Sequence, residues 1–145
     1  MMVAISSETI HASCVAIDGQ AVLIEGRSGT GKSDLALRLI DRGAQLVSDD
    51  YTALRRRDGD LIARAPDNLA GKMEIRGIGI VEVPHVTDIA VALLVVITEL
   101  PPRMPERGRT RLIAGVAVRE IALPALEPSA AIKVEWALKF RRAAE

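Results

Sequence analysis

The chain holds 145 residues, 49% hydrophobic and 2% aromatic, with nineteen basic residues against nineteen acidic ones. That length fits one domain over residues 1–145 with room for a real core, while the balanced charge selects neither nucleic acid nor an anionic membrane, and the scarcity of aromatics excludes base stacking as a mode of recognition. The lone cysteine, Cys14, rules out an intrachain disulfide, no secretory leader pattern opens the chain, and the longest apolar run, residues 89–97, is about half a membrane span, so a cytoplasmic protein is expected.

In chain order, residues 11–17 and 20–25 flank Asp18-Gly19, a pair suited to a tight turn, and are predicted as antiparallel strands. The second strand runs into Gly26-Arg27-Ser28-Gly29-Thr30-Gly31-Lys32-Ser33, a complete G-x-x-x-x-G-K-[ST] phosphate loop. Helical composition follows over residues 33–42 and closes at Gly43, a good residue just past a helix C-terminus. Strand, loop and helix in that order is the context the motif requires. Backbone N–H groups freed by the glycines wrap phosphates, the helix N-terminus faces them, Lys32 adds a point charge, and the Ser33 hydroxyl suits Mg²⁺. The chain therefore reads as a nucleoside triphosphate binder.

Residues 45–48 form a short strand ending at Asp49-Asp50, a Walker-B-like position. There one carboxylate can hold Mg²⁺ while its neighbour takes the proton of an attacking hydroxyl. Two adjacent carboxylates repel each other, a penalty that a cation relieves. Residues 53–57 and 61–65 flank Asp58-Gly59 and predict a second hairpin, with Arg55-Arg56-Arg57 as a solvated face. Residues 73–83 begin as a Gly-rich loop and end in an alternating strand pattern. Within them Glu74 and Arg76 share a face of an extended chain, and on spacing alone read more readily as a surface ion pair than as a ligand-facing couple.

Residues 89–97 are apolar throughout and predict a central strand covered on both faces. Residues 101–111 hold three prolines and the arginines Arg103, Arg107, Arg109 and Arg111, and are expected to form a mobile basic loop. Arg107 could swing onto a phosphate as an arginine finger or simply be solvated. Residues 116–123 predict one strand or two, and Ser129 is expected to cap a last helix reaching about Arg142. By itself His11 reads as an ordinary strand histidine, and Cys14 as a small buried residue.

Taken together, these segments resemble the catalytic domain of the bacterial HPr kinase/phosphorylase family, serine kinases of a phosphocarrier protein. The resemblance rests on His11-Ala12, the phosphate loop with its Ser33-Asp34-Leu35-Ala36-Leu37 continuation, Arg42-Gly43, Leu46-Val47-Ser48-Asp49-Asp50 and Ala65-Pro66. Above all it rests on Met73-Glu74-Ile75-Arg76-Gly77-Ile78-Gly79-Ile80-Val81-Glu82-Val83, close to the family signature Leu-Glu-Ile-Arg-Gly-Ile-Gly-Ile-Ile-Asp-Val. It covers roughly residues 9–124. It implies an α/β P-loop fold with a mixed central sheet, related to phosphoenolpyruvate carboxykinase, and hexamers. It also implies ATP bound by Gly26, Arg27, Ser28, Gly29, Thr30, Gly31, Lys32 and Ser33, with Mg²⁺ served by Ser33, Asp49 and Glu74. Asp50 becomes the base, with His11, Lys32, Arg76 and Arg107 completing the catalytic set.

The expected partner is an HPr-like phosphocarrier. A small-metabolite kinase and a non-catalytic nucleotide-gated module stand as alternatives. Longer family members carry an N-terminal domain, expected to be missing here. Where the family has Phe-Asp-Arg-Leu-Gly, this chain reads Pro105-Glu106-Arg107-Gly108. The family's Pro-Val-Lys-Pro-Gly-Arg-Asn segment, tied to dephosphorylation, becomes Pro124-Ala125-Leu126-Glu127-Pro128-Ser129 without its basic residues, which favours the kinase direction over phosphorolysis.

Overall fold

The computed structural model describes residues 6–104 and 108–140. Along them run β1 (Ser7–Ile10), β2 (Ala12–Ile17), β3 (Gln20–Glu25), α1 (Lys32–Asp41), β4 (Gln45–Ser48), β5 (Thr52–Arg57), β6 (Asp60–Arg64), β7 (Lys72–Ile75), β8 (Gly79–Glu82), β9 (Ile89–Ile97), β10 (Thr110–Ile113), β11 (Val116–Leu123) and α2 (Ala130–Lys139). Both Asp-Gly pairs turn the chain as expected. Asp18, Gly19, Asp58 and Gly59 all have positive φ, the backbone that two-residue hairpins need.

β9 lies in the middle of the sheet. It pairs parallel with β3 on one side, while its other edge is shared, antiparallel with β6 through residues 89–90 and parallel with β11 through residues 94–97. One edge serving two strands of opposite direction makes the sheet mixed and curls it. The order β1-β5-β6-β9-β3-β2-β4 is completed by β10 and β11, and β7 and β8 form a separate hairpin. Alternation along the central strands feeds two cores. Val15, Val22, Ile24, Leu93 and Val95 face α1 and α2, where Leu35, Leu39 and Val134 meet them. Cys14, Ala16, Leu23 and Leu94 face the opposite side, closed by Leu54, Leu61, Ile113 and Val118 of the curled strands. Two-sided burial is the reason these strands read as unbroken apolar runs. Each fully buried leucine or isoleucine contributes about 1.5–3 kcal/mol.

α1 stops in a Schellman arrangement. The N–H of Gly43 donates to Ile40 O, that of Ala44 to Leu39 O, both at 3.0 Å, and Gly43 takes φ 110°. Four expectations are corrected. Residues 72–75 form a strand paired with 79–82, so the signature segment begins as a hairpin arm and not as a loop, and Arg76 sits in its turn, where the shared-face argument with Glu74 lapses. Ser129 occupies the N-cap position of α2 but makes no side-chain cap hydrogen bond. The helix stops at Lys139, with Phe140 extended, and Arg142 lies outside the described residues. Finally, the end of the supposed basic loop is β10, which the Ala114-Gly115 turn (φ 47° and 82°) joins to β11 and which ion pairs stitch down. Alanine carries no turn signal, and the Ala114 N–H is held by the Glu8 carboxylate at 2.8 Å, a partner far away in sequence.

Candidate active site

The segment from Gly26 to Ser33 bridges β3 and α1, both buried by the helix-side core. Its geometry is glycine-dependent. A Cβ on Gly26 would come within 2.7 Å of Thr30 Oγ1 and 3.1 Å of Ile97 Cβ, and Gly31, at φ 101°, would meet Leu126 and Ala125 at 3.1 and 3.2 Å. The loop closes on itself through Thr30, whose N–H and hydroxyl both donate to Arg27 O, at 3.2 and 2.5 Å. Lys32 is buried and folds back along the loop, donating to Gly26 O at 2.9 Å and to Arg27 O at 3.3 Å. The first N–H groups of α1 have no partner within the helix and point into this loop. Segment 124–129 is held over it by Arg38, whose guanidinium donates to Ala125 O and, at 3.1 Å, to Glu127 O.

Beyond β4 the two aspartates part company. Asp49 is buried, and its Oδ1 accepts the Ser33 hydroxyl at 2.8 Å and the Ser13 hydroxyl at 3.2 Å, while Oδ2 accepts the Glu74 N–H at 3.1 Å. Asp50 turns outward, half exposed, with Oδ1 2.7 Å from His11 Nε2. The imidazole is itself held by the Tyr51 ring, stacked at 4.8 Å between centroids. Asp50 has φ 67°, and the Tyr51 N–H donates to Asp49 O at 2.8 Å across it. That is a γ-turn with a left-handed central residue, a backbone that costs about 1–3 kcal/mol and is found where a side chain must be aimed.

His11, Ser33, Asp49 and Asp50 thus come together beside the glycine loop. Glu74 reaches Asp49 through its backbone N–H and not through its carboxylate. Arg76 is exposed in the hairpin turn and makes no hydrogen bond to either aspartate. Arg107 lies outside the described residues. Arg109 and Arg111, expected in the same loop, instead grip Glu120, and Arg111 also holds Glu25, one residue before the glycine loop, at 2.5 Å. These ion pairs hold the Arg111 guanidinium above its usual range despite the opposing effect of burial. Ser13 and Tyr51 were not singled out from the sequence, since a serine amid apolar residues and a tyrosine after an acid pair are both ordinary. Cys14 is fully buried and its thiol is pushed up by desolvation, as a small core residue would be.

The donor set of the Ser33 hydroxyl and the Asp49 carboxylate is all oxygen, the chemistry that hard Mg²⁺ takes. Among the described residues no three His, Cys, Asp or Glu side chains converge as a metal cage. A cation here would be shared with phosphates, which is how Mg²⁺ is usually held at such sites.

Comparison with known proteins adds a second line. The family described as HPr Serine kinase C-terminal domain matches residues 3–134. A protein of Limosilactobacillus reuteri (strain DSM 20016) named HPr kinase/phosphorylase is 37% identical over 130 residues, covering 81% of this chain and 41% of that protein. One of the same name from Peptoclostridium acidaminophilum is 48% identical over 80 residues, 54% of this chain and 26% of the relative. The chain therefore spans about two-fifths or less of these curated relatives. Among solved structures, the HPr(Ser) kinase/phosphatase from Coxiella burnetii superposes with a TM-score of 0.79 at 34% identity, covering 91% of this chain and 94% of that one.

Proposed function

The chain belongs to the HPr serine kinase C-terminal domain family, and from that premise we propose that it is an ATP- and Mg²⁺-dependent serine kinase of an HPr-like phosphocarrier. One observation carries the reading. Two adjacent carboxylates have separate partners, Asp49 facing Ser33 of the glycine loop at 2.8 Å and Asp50 facing His11 at 2.7 Å. That is the division of labour phosphoryl transfer requires, a carboxylate on the cation side and a base on the acceptor side.

Gly26 to Ser33 bind the triphosphate, with Lys32 exchanging its loop carbonyls for phosphate oxygens. Mg²⁺, when bound, neutralises charge on the phosphates, and Ser33 and Asp49 are the residues that would hold it, with the Glu74 carboxylate as a further candidate. The acceptor serine oxygen attacks the γ-phosphorus, the bond from that phosphorus to the β–γ bridging oxygen breaks, ADP leaves, and the serine proton passes to Asp50. His11 orients the Asp50 carboxylate for that transfer. Arg76 and Arg107 would add positive charge on the acceptor side.

The fold is read as a P-loop type related to phosphoenolpyruvate carboxykinase, and the protein as a cytoplasmic hexamer. No helix among the described residues is long and apolar enough to cross a membrane. The family match does not favour a small-metabolite kinase or a non-catalytic nucleotide-gated module. The forward reaction is preferred over phosphorolysis because segment 124–129 lacks the family's basic residues and Arg38 ties it to α1. Mass spectrometry of an HPr-like protein after incubation with this chain, ATP and Mg²⁺ should find one phosphoserine. An unmodified phosphocarrier would refute the reading, and a second incubation with inorganic phosphate tests reversal.

A further inference from the structure

Asp49 and Asp50 are neighbours that point to different tasks, and one buried hydroxyl touches both residues. We propose that Ser13 is a positioning residue for phosphoryl transfer, fixing Asp49 toward the glycine loop and Asp50 toward His11; this rests on the kinase reading above.

Ser13 lies where the sheet runs out. The pairing of β2 with β4 shifts register between Cys14 and Val15, and Cys14 opposite Ser48 is its last pair. Past that point side chains replace the ladder. The Thr52 hydroxyl donates to Ala12 O at 2.8 Å, Tyr51 stacks on His11, and Ser13 Oγ accepts the Asp50 N–H at 3.1 Å. Ser13 is 0% exposed, so water does not substitute for either of its bonds. A hydroxyl has one proton to give. Because the Asp50 N–H is itself a donor, the Ser13 proton is free for the acceptor it meets, Asp49 Oδ1 at 3.2 Å. The direction of this small chain, from the Asp50 amide to Ser13 to the Asp49 carboxylate, is therefore set by chemistry.

Two consequences follow from losing that oxygen. Asp49 Oδ1 keeps only Ser33 and is freer to rotate away from the loop. The part-buried Asp50 N–H loses its acceptor within a left-handed γ-turn already under strain, so the backbone that aims the carboxylate to 2.7 Å from His11 is less firmly fixed. A hydroxyl behind a cation-binding carboxylate acts as outer-shell support, whose removal typically costs about 10–100-fold in metal affinity or activity.

The test compares Ser13→Ala, Ser13→Thr and Ser13→Val, the last two nearly equal in shape and differing in the hydroxyl. Two readouts are taken: kcat and KM for transfer from labelled ATP to the phosphocarrier, and Mn²⁺ binding to the ADP-loaded protein by electron paramagnetic resonance. Ser13→Ala and Ser13→Val should lose about 10–100-fold in kcat with KM for the phosphocarrier nearly unchanged, and bind Mn²⁺ about tenfold more weakly, whereas Ser13→Thr stays close to wild type in both. If Thr and Val fall together, or if Ala and Val match wild type, the role is overturned. Should Ser13→Ala fail to fold, the Thr and Val pair decides alone. Absence of transfer by the wild type would instead remove the kinase reading, and Mn²⁺ weakened by Val but not by Thr would still uphold the placement of Ser13.

Discussion

Along the inner wall of the site, four side-chain hydrogen bonds and a stacked ring pair tie residues 11–13 to residues 49–52. Among the described residues the facing hairpin, β7 and β8, meets this wall through the hydrogen bond from the Glu74 N–H to the Asp49 carboxylate, and it carries Arg76, Ile78 and Ile80 at the surface. The first region inherits its geometry from the two-sided core directly behind it. The second is anchored by buried Met73, with Ile75 and Val81 packed partly against the same core, and its other face is open. Substitutions in the inner wall should therefore change chemistry or stability steeply, and those at the exposed apolar positions of the hairpin, Ile78 and Ile80, should change neither by much.

The sharpest way to break this contrast is Asp50→Asn, which should lower phosphate transfer by about 10²–10⁴-fold while nucleotide affinity measured by calorimetry stays unchanged; near-normal turnover would remove Asp50 as the base. Next in size, Leu39→Ala empties a fully buried position where α1 packs on the sheet and should cost about 2–5 kcal/mol in urea unfolding. Lys32→Ala removes the buried cation of the loop and should weaken ATP binding about 10–100-fold, matching the roughly 1.5–3 kcal/mol of a charged hydrogen bond.

A smaller effect comes from Cys14. Burial raises its pKa from the ordinary 9.0, so the folded thiol keeps its proton where the unfolded one ionises. This stabilising contribution is complete below pH 9 and should decline as pH rises beyond it, by at most about 1.4 kcal/mol per pH unit. Urea midpoints at pH 8 and 10 should show the decline in wild type and lose that part of it in Cys14→Ala. Smallest of all, Ile78→Ser should move the unfolding free energy by no more than about 0.5 kcal/mol, because the side chain is 75% exposed. A large loss there would place the hairpin within the same cooperative unit as the inner wall.

What was legible in the sequence follows the same divide between local and distant causes. The glycine loop, both Asp-Gly hairpins, the helix stop at Gly43 and the central position of residues 89–97 depend on neighbours a few residues away, and each was readable. Asp49-Asp50 was readable as a pair. Its splitting was not, because the partners that separate the two acids, Ser13 and His11, lie 36 and 39 residues away. The register shift at Cys14 that brings Ser13 opposite them leaves no compositional trace. The arginines of residues 109–111 looked like loop charges for a related reason. Glu120 and Glu25, which hold them in the structure, become neighbours only when β10 folds back on β11 and β11 pairs with β9.

The stacking of Tyr51 on His11 has a practical side. The chain has one tyrosine and one tryptophan, and they report on different places: Tyr51 rests on the imidazole beside Asp50, while Trp136 stands on the solvent side of α2. Excitation at the red edge of the absorption band isolates the indole, and the difference from excitation at shorter wavelength isolates the phenol. Without any added dye, the protein thus carries two native fluorophores, one seated beside the acid pair and one on the exposed face of α2.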